Sequence, residues 1–247
     1  MKTALVTGGS RGIGRATALL LADQGYQVAV NYHQRKAAAE EVVALIHQQG
    51  GKAFSIQADI ANEAQVVAMF KLLDEQGARL HALVNNAGIL FRQASVEELS
   101  AERINRVFAT NITGTFLCCR EAVKRMSQQH GGQGGAIVNV SSAAARTGAP
   151  YEYVDYAASK GAVDTLTKGL ALEVAAHGIR VNGVRPGFIY TDMHADGGEP
   201  GRVDRVAPAI PLRRGGQPEE IARAIYWLLS DDASYITGTI IDAAGGR

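Results

Sequence analysis

Short apolar segments alternate with longer amphipathic segments along the whole chain. The short segments are rich in Val, Ile and Ala and are bounded by Gly, Asn or Pro, which is typical of β-strands. The longer segments carry apolar residues at helical spacing. The predicted strands span residues 3–7, 27–32, 52–57, 82–85, 136–141, 180–185 and 239–242. The predicted helices span residues 14–24, 36–49, 63–76, 101–129, 155–176 and 218–229.

This alternation indicates an α/β protein. Several strands, such as 136–141, are apolar without interruption by charge, as expected for parallel strands that are covered on both faces. We therefore predict one domain over residues 1–247, a Rossmann-type doubly wound parallel sheet with helices on both faces. The long Gly- and Pro-containing stretch at 191–216 is predicted to be a substrate lid, because irregular segments of that length in a compact domain are usually functional.

Composition and charge exclude several classes of protein. Hydrophobic residues make up 47% of the 247 residues and charged residues 20%, which is ordinary for a globular protein and excludes a mainly disordered chain. The net charge of +1 provides no field for holding nucleic acid or an anionic membrane. We recognise neither a signal peptide nor an apolar run long enough to span a membrane, so we expect a soluble cytoplasmic protein. No metal site is predicted.

The two cysteines, Cys118 and Cys119, are neighbours in the chain. A trans peptide holds adjacent Cα atoms about 3.8 Å apart, which is too close for a disulfide. We expect free thiols, as in a reducing compartment.

A glycine-rich turn lies between the first predicted strand and the first helix, in Thr7-Gly-Gly-Ser-Arg-Gly-Ile-Gly14. Such a turn lets backbone N–H groups approach a pyrophosphate at the positive end of the helix. The spacing differs from the common GxGxxG, and the alternative is a plain strand-to-helix turn. The predicted cofactor contacts in this turn are Gly8, Ser10, Arg11, Gly12, Ile13 and Gly14.

The end of the second strand indicates which nucleotide is preferred. Proteins that bind NAD usually place an acidic residue there, but this chain has Asn31 and Tyr32, and residues 24–39 contain no acid. His33, Arg35 and Lys36, with Arg11 of the turn, offer positive charge to a 2′-phosphate. We therefore predict NADP(H), with NAD(H) possible. The alternative is that the basic residues only begin a solvated helix.

Tyr156 and Lys160 are four residues apart, so they share one face of a predicted helix. A phenol with an ordinary pKa near 10 is a poor proton carrier at pH 7, and a nearby ammonium group would lower that pKa. The pair is therefore a candidate for general acid–base chemistry. The alternative is an exposed pair without function.

The order of these motifs resembles the short-chain dehydrogenase/reductase family over the whole chain. Besides the glycine turn and the Tyr-Lys pair, the resemblance includes further motifs that lie where open α/β sheets bind ligands. These motifs are Asp59-Ile60, Asn85-Asn86-Ala87-Gly88, Asn111 in Thr-Asn-Ile-Thr-Gly, Ser141-Ser142 and Arg185-Pro186-Gly187.

The resemblance implies an NAD(P)-dependent enzyme with four catalytic residues, Asn111, Ser142, Tyr156 and Lys160. Ser142 would bind the substrate oxygen, Tyr156 would transfer its proton, Lys160 would assist Tyr156 and bind the nicotinamide ribose, and Asn111 would hold a water. Ser141 remains an alternative to Ser142. The resemblance also implies cofactor contacts from Tyr32, Arg35, Asp59, Ile60, Asn86, Ala87, Gly88, Tyr156, Lys160, Pro186, Gly187, Ile189 and Thr191. A homo-oligomer, a tetramer, is implied as well.

Within that family the chain most resembles glucose 1-dehydrogenases and 3-oxoacyl-carrier-protein reductases. The lid 191–216 contains four Arg against four Asp or Glu, which predicts a neutral mouth and favours a small polar carbonyl, sugar or polyol over an acidic acyl carrier. The basic stretch Arg120, Lys124 and Arg125 keeps the carrier reductase as an alternative. An inactive NADP-sensing protein and a purely structural subunit are alternatives from other classes.

Overall fold

The structure is a computed structural model that describes residues 1–77 and 79–247. Within those residues, seven parallel strands form one sheet in the order β3-β2-β1-β4-β5-β6-β7. The strands are β1 (Thr3–Val6), β2 (Gln27–Tyr32), β3 (Lys52–Gln57), β4 (Leu80–Asn85), β5 (Gly135–Val140), β6 (Ile179–Pro186) and β7 (Ile240–Ala243). The strand order reverses between β1 and β4, and ligands bind at such a switch point in open α/β sheets.

Helices cover both faces of the sheet, as predicted. The helices are α1 (Gly12–Asp23), α2 (Lys36–Gln48), α3 (Glu63–Glu75), α4 (Ala101–Phe108), α5 (Gly114–Met126), α6 (Ala144–Thr147), α7 (Val154–Val174), α8 (Met193–Asp196), α9 (Arg202–Val206) and α10 (Pro218–Leu229). The family of folds expected from the sequence is therefore confirmed.

Alternate residues of the strands β1 to β6 enter two separate hydrophobic cores. Ala4 and Val6 of β1 pack with α1, α2 and α10 on one face. Leu5 of the same strand packs with α3, α5 and α7 on the other face. Successive side chains of a strand point to opposite faces, so a strand that is covered on both sides must be apolar throughout. This explains the uninterrupted apolar runs of the sequence.

The predicted helix 101–129 is not one helix. A single π-helical turn, Ala109–Thr113, separates α4 from α5. Asn111 lies in this turn, where its Oδ1 accepts a hydrogen bond from Ile89 N at 2.8 Å and its Nδ2 donates to Ile89 O at 2.9 Å. A π turn adds one residue to a helical turn and is often found at functional sites. Helical periodicity in the sequence does not reveal it, since the extra residue serves a contact with a distant loop.

The segment 191–216 is more ordered than a plain loop. It contains α8, α9 and a 3-10 turn at Ala207–Ala209. Among the described residues we find no helix whose length and apolar character would let it cross a membrane. Cys118 and Cys119 are free and buried.

Candidate active site

Two adjoining cavities open at the carboxyl ends of the strands. The first, here called the groove, has a volume of about 490 Å³ and follows the start of α1 and the ends of β2 and β3. The second, here called the inner cavity, has a volume of about 210 Å³ and lies between the end of β5, the start of α7 and the segment 191–216. This segment is called the lid below, after the role that the sequence predicts for it. Ile13, Asn86, Thr191 and Met193 line both cavities, so the two spaces are neighbours.

The predicted site residues are divided between these two cavities. The groove is lined by Gly8, Ser10, Arg11, Gly12, Ile13, Tyr32, Arg35, Asp59, Ile60, Asn86, Ala87, Gly88 and Thr191. The inner cavity is lined by Ser142, Tyr156, Lys160, Pro186, Gly187 and Ile189, in addition to residues that it shares with the groove. Gly14 and Asn111 lie behind the lining and support it.

The glycine turn is held in a conformation that other residues could not easily adopt. Gly8 has φ +60° and Gly12 has φ +51°. A Cβ at Gly14 would lie 2.3 Å from the carbonyl oxygen of Gly8, so only glycine fits there. The loop after β4 braces the turn, because Asn86 Nδ2 donates to Thr7 O at 3.0 Å and to Gly8 O at 3.1 Å.

Helix α1 begins at the groove, and no side chain among the described residues caps its first turn. Its first backbone N–H groups are therefore available to a ligand, and the helix dipole favours an anion there. This arrangement fits the pyrophosphate of a dinucleotide.

Asn31 lies at the end of β2, where proteins that bind NAD usually have an acidic residue. Asn31 is buried, accepts a hydrogen bond from Gly8 N at 3.2 Å and donates to Ala58 O at 3.1 Å. It thus joins the glycine turn to the end of β3. Asp59 brings a carboxylate into the groove from that strand, and its Oδ2 lies 3.8 Å from Nε2 of His33.

Arg11 does not project freely into the groove. Its Nη2 forms an ion pair with Asp196 of α8, and its Nη1 lies 3.9 Å from Oδ2 of Asp192. Nη1 is buried without a hydrogen-bond partner among the described residues. The sequence did not predict this contact, in which two lid carboxylates partly neutralise the cation that was expected to face a 2′-phosphate.

Tyr156 and Lys160 are both buried on α7, beside the inner cavity. The Nζ atom of Lys160 lies 5.6 Å from the centre of the Tyr156 ring and donates to Val140 O at 2.7 Å. The carbonyl at the end of β5 thereby fixes the ammonium group. A Cβ at Gly88 would lie 3.4 Å from the same Nζ, so the loop after β4 can pass close to it.

The pKa values in this pair are dominated by burial. Burial raises the pKa of Tyr156 to about 12, although interaction with the Ser142 side chain and the positive charge of Arg202 act in the opposite direction. Burial lowers the pKa of Lys160 to about 8, against the effect of the Asp164 carboxylate. The net shift of the Tyr156 pKa is thus opposite to the one expected from a neighbouring ammonium group, because desolvation of the phenolate outweighs the effects of Ser142 and Arg202.

The two serines after β5 have different surroundings. Ser141 is buried, and its Oγ donates to Lys160 O on α7 at 3.1 Å. Ser142 is partly exposed to the inner cavity and interacts with Tyr156. Ser142 thus lowers the pKa of Tyr156, whereas the hydroxyl of Ser141 is used by Lys160 O.

Asn111 is a supporting residue in this arrangement. Its Nδ2 donates to Ser159 Oγ at 3.0 Å, and Ser159 Oγ donates to Tyr156 O at 2.6 Å. Both hydrogens of the Asn111 amide are used by Ser159 and Ile89. The π turn is therefore tied to the backbone of α7 at Tyr156 itself.

Sequence reasoning missed several residues that line the inner cavity: Glu152, Tyr153, Phe188, His194, Arg202 and Arg247. Arg202 lies on α9, and in the sequence it is recognisable only as one of the charges of the lid. No local pattern shows which lid side chains turn inward, since that depends on how the lid packs. Among the described residues, we find no group of three or more His, Cys, Asp or Glu side chains that could hold a metal ion.

Comparison with known proteins agrees with this architecture. A family model described as enoyl-(acyl carrier protein) reductase matches residues 8–247. The uncharacterized oxidoreductase YgfF of Escherichia coli is 72% identical over the full length of both chains. The 3-oxoacyl-[acyl-carrier-protein] reductase FabG of Staphylococcus aureus is 44% identical over 99% of this chain and 97% of the relative. Glucose 1-dehydrogenase 2 of Bacillus subtilis is 38% identical over 99% and 94%.

A solved structure of a short-chain type dehydrogenase/reductase from Mycobacterium marinum is also similar. It has a TM-score of 0.91 and 37% identity, and the match covers 99% of this chain and 94% of that chain. Fold and site together therefore define an oxidoreductase that uses NAD(P)(H). The chain belongs to the short-chain dehydrogenase/reductase family.

Proposed function

We propose that this protein interconverts an alcohol and a carbonyl on a small polar substrate, with NADP(H) as the preferred cofactor. The observation that carries the proposal is the meeting of Ser142, Tyr156 and Lys160 in a cavity that adjoins the groove. A substrate in the inner cavity would lie beside the end of the groove, where the two cavities share Asn86 and Thr191.

A bound nicotinamide would supply or accept the hydride. Ser142 binds the oxygen of the substrate, and the Tyr156 hydroxyl gives a proton to that oxygen in reduction or takes one in oxidation. With a pKa of about 12 the phenol is protonated at neutral pH, which suits the donor role. The Lys160 cation stabilises the phenolate that forms when the proton leaves. Asn111 acts by holding α7 at Tyr156.

The preference for NADP(H) is supported by the charges at the end of β2. Residues 24–39 contain no carboxylate, and His33 and Arg35 line the groove. Arg35 is exposed and has no ion-pair partner within residues 1–77 and 79–247. Arg35 is therefore available to a 2′-phosphate. Arg11, in contrast, can bind a 2′-phosphate only by giving up its contacts with the lid carboxylates.

Reduction of an acyl group on a carrier protein is the second candidate, favoured by the relatives of that name. Docking an acidic carrier needs unpaired positive charge. The basic stretch of α5 is already paired, since Arg120 contacts Glu63, Lys124 contacts Glu121, and Arg125 contacts Asp74. This pairing favours a small free substrate.

We further propose a cytoplasmic homotetramer. Large apolar side chains are exposed at four places on α5, α7 and the region from α10 to β7, and these would be covered in an oligomer. They are Phe116, Leu172, Trp227 and Tyr235. Light scattering during size-exclusion chromatography tests the subunit number. A monomeric protein would contradict the proposed tetramer.

A panel of sugars, polyols, small diketones and acetoacetyl thioesters, read by NADPH absorbance, tests the reaction. We expect turnover of small carbonyls with NADPH and a lower specificity constant for the thioester. Tyr156→Phe is the control, since turnover that depends on this site should be lost in that variant. If NADPH binds but no carbonyl or alcohol turns over, the sensing protein is the better assignment. If NADPH does not bind, the cofactor proposal itself fails.

A further inference from the structure

The balanced charge of the lid does not produce a neutral cavity. The four acidic lid residues are engaged elsewhere: Asp192 and Asp196 face Arg11, Glu199 pairs with Arg205, and Asp204 accepts a hydrogen bond from the Tyr190 hydroxyl. Of the charged lid residues, Arg202 alone lines the inner cavity in the part of the chain that the structure describes. The equal numbers of basic and acidic residues in the lid therefore do not determine the charge of the cavity that a substrate enters.

Arg202 is a buried cation with an unused donor. Its side chain is 7% exposed, and its guanidinium lies on the rings of Tyr153 and Phe188, 4.7 Å and 5.2 Å from their centres. One end of the guanidinium pairs with Glu152. The Nε atom is buried and has no hydrogen-bond partner among the described residues. A buried donor without a partner is costly, so a polar ligand group that reaches it when Arg202 moves away from Glu152 would be bound favourably.

The charged groups of the cavity as a whole are mainly positive. Lys160, Arg202 and Arg247 line it, with Glu152 as the only side-chain carboxylate of the described lining. The Arg247 guanidinium lies 4.9 Å from the centre of the Phe188 ring, which also contacts Arg202. His194 is a further titratable group, and burial lowers its pKa, so it is neutral at pH 7. The side chains of the lining thus include three basic groups and one carboxylate.

We propose that Arg202 binds a carboxylate of the substrate, so that the enzyme acts on oxo acids and hydroxy acids. The inference rests on the proposed function and deepens it by naming the substrate class. The planar guanidinium suits a carboxylate, and its stacking on two rings fixes its orientation before the substrate arrives. The substrate carboxylate competes with Glu152 for Arg202 and takes up the donor that Glu152 leaves free.

Matched substrates test this assignment. We expect the specificity constant with NADPH for 4-oxopentanoate to exceed that for its methyl ester by tenfold or more. In Arg202→Met that ratio should fall at least tenfold, mainly through a higher KM for the acid. The control is Arg205→Met, which removes an exposed arginine of the same helix that pairs with Glu199 and does not line the cavity, and should keep the ratio.

Glu152→Gln distinguishes a binding role of Arg202 from a purely structural one. If Arg202 binds the substrate, removing its competing carboxylate lowers the KM for 4-oxopentanoate and leaves the KM for the ester almost unchanged. If the pair only ties α9 to the start of α7, Glu152→Gln impairs both substrates equally. That second outcome, or an equal loss of both substrates in Arg202→Met, overturns the inference.

Binding without turnover separates this inference from the proposed reaction. We expect butanoate to raise the Tm of the NADPH complex, with little effect from butanamide, and we expect the butanoate response to be lost in Arg202→Met. If butanoate binds through Arg202 but no carbonyl is reduced, the anion site stands and the proposed reaction fails. If acid and ester are reduced equally well, only the anion site fails. A stronger response to inorganic phosphate than to butanoate would overturn the carboxylate assignment in favour of a phosphate ester.

Discussion

Arg11 and Asp196 form an ion pair that joins the glycine turn to the lid. Arg11 belongs to the groove, whereas Asp196 ends the short helix α8. A 2′-phosphate bound by Arg11 would have to compete with this carboxylate. Cofactor preference and the position of the lid would then be coupled through a single side chain.

Removing that competitor is expected to strengthen the binding of NADPH. Asp196→Asn should raise NADPH affinity by a few fold and leave NADH affinity nearly unchanged, since a half-exposed ion pair contributes roughly 0.2–1 kcal/mol. Arg11→Ala should weaken NADPH and not NADH. Fluorescence titration of both cofactors measures this, with Asp204→Asn as the control, because Asp204 contacts Tyr190 and not Arg11. Equal affinities of wild-type protein for NADPH and NADH, where we expect a ratio of about ten or more, would contradict the preference.

Tyr156→Phe should reduce turnover by on the order of a hundredfold or more, because the proton of the reaction loses its donor. The ring and its packing remain, so NADPH affinity should stay close to that of the wild type. Steady-state kinetics and cofactor titration on the same preparation separate these two effects. Tyr151→Phe is the control, since Tyr151 is exposed and does not line the inner cavity. Full activity of Tyr156→Phe would remove this residue from the mechanism.

Lys160→Met should abolish activity and weaken NADPH binding, yet stabilise the fold at pH 7. The folded protein holds Lys160 at a pKa of about 8, below its ordinary 10.5, because burial disfavours the charge. Between those pH values the unfolded chain keeps a proton that the folded protein has released, so the wild-type free energy of unfolding rises with pH. We expect a gain on the order of 1 kcal/mol or more for Lys160→Met at pH 7, and a smaller gain above pH 10.

Urea unfolding of both proteins at several pH values checks this, with Lys168→Met, an exposed lysine of α7, as the control. A less stable Lys160→Met protein at pH 7 would mean that the bond from Lys160 to Val140 O outweighs the cost of burying the charge.

Ser142→Ala and Ser141→Ala should have different effects. Ser142 interacts with the phenol, so its replacement should lower turnover strongly with little change in stability. Ser141 donates to Lys160 O inside the protein, so its replacement should cost about 1 kcal/mol of stability and affect turnover less. Steady-state kinetics measures the change in turnover of the two variants, and thermal unfolding measures the change in their stability. The reverse pattern would assign the substrate contact to Ser141.

Much of the fold could be predicted because its signals are local. The uninterrupted apolar strands, the helical spacing between them and the glycine turn each depend on a few neighbouring residues. They agree with the observed strands and helices except at the predicted helix 101–129, which the π turn divides. The Tyr156 and Lys160 pair is also a local signal, since one helical turn places both side chains on the same face.

Other features depend on residues that are distant in sequence and meet only in the folded chain. The amide of Asn111 in the π turn bonds to Ile89 in another loop, and burial at the cavity raises the pKa of Tyr156. Arg11 meets Asp196 across 185 positions. The sequence by itself determined the sheet, the glycine turn and the placement of Tyr156 beside Lys160, because these follow from periodicity and local chemistry. Only the tertiary structure decided which lid charges turn inward, because charge pairing and desolvation depend on the packing of the whole molecule.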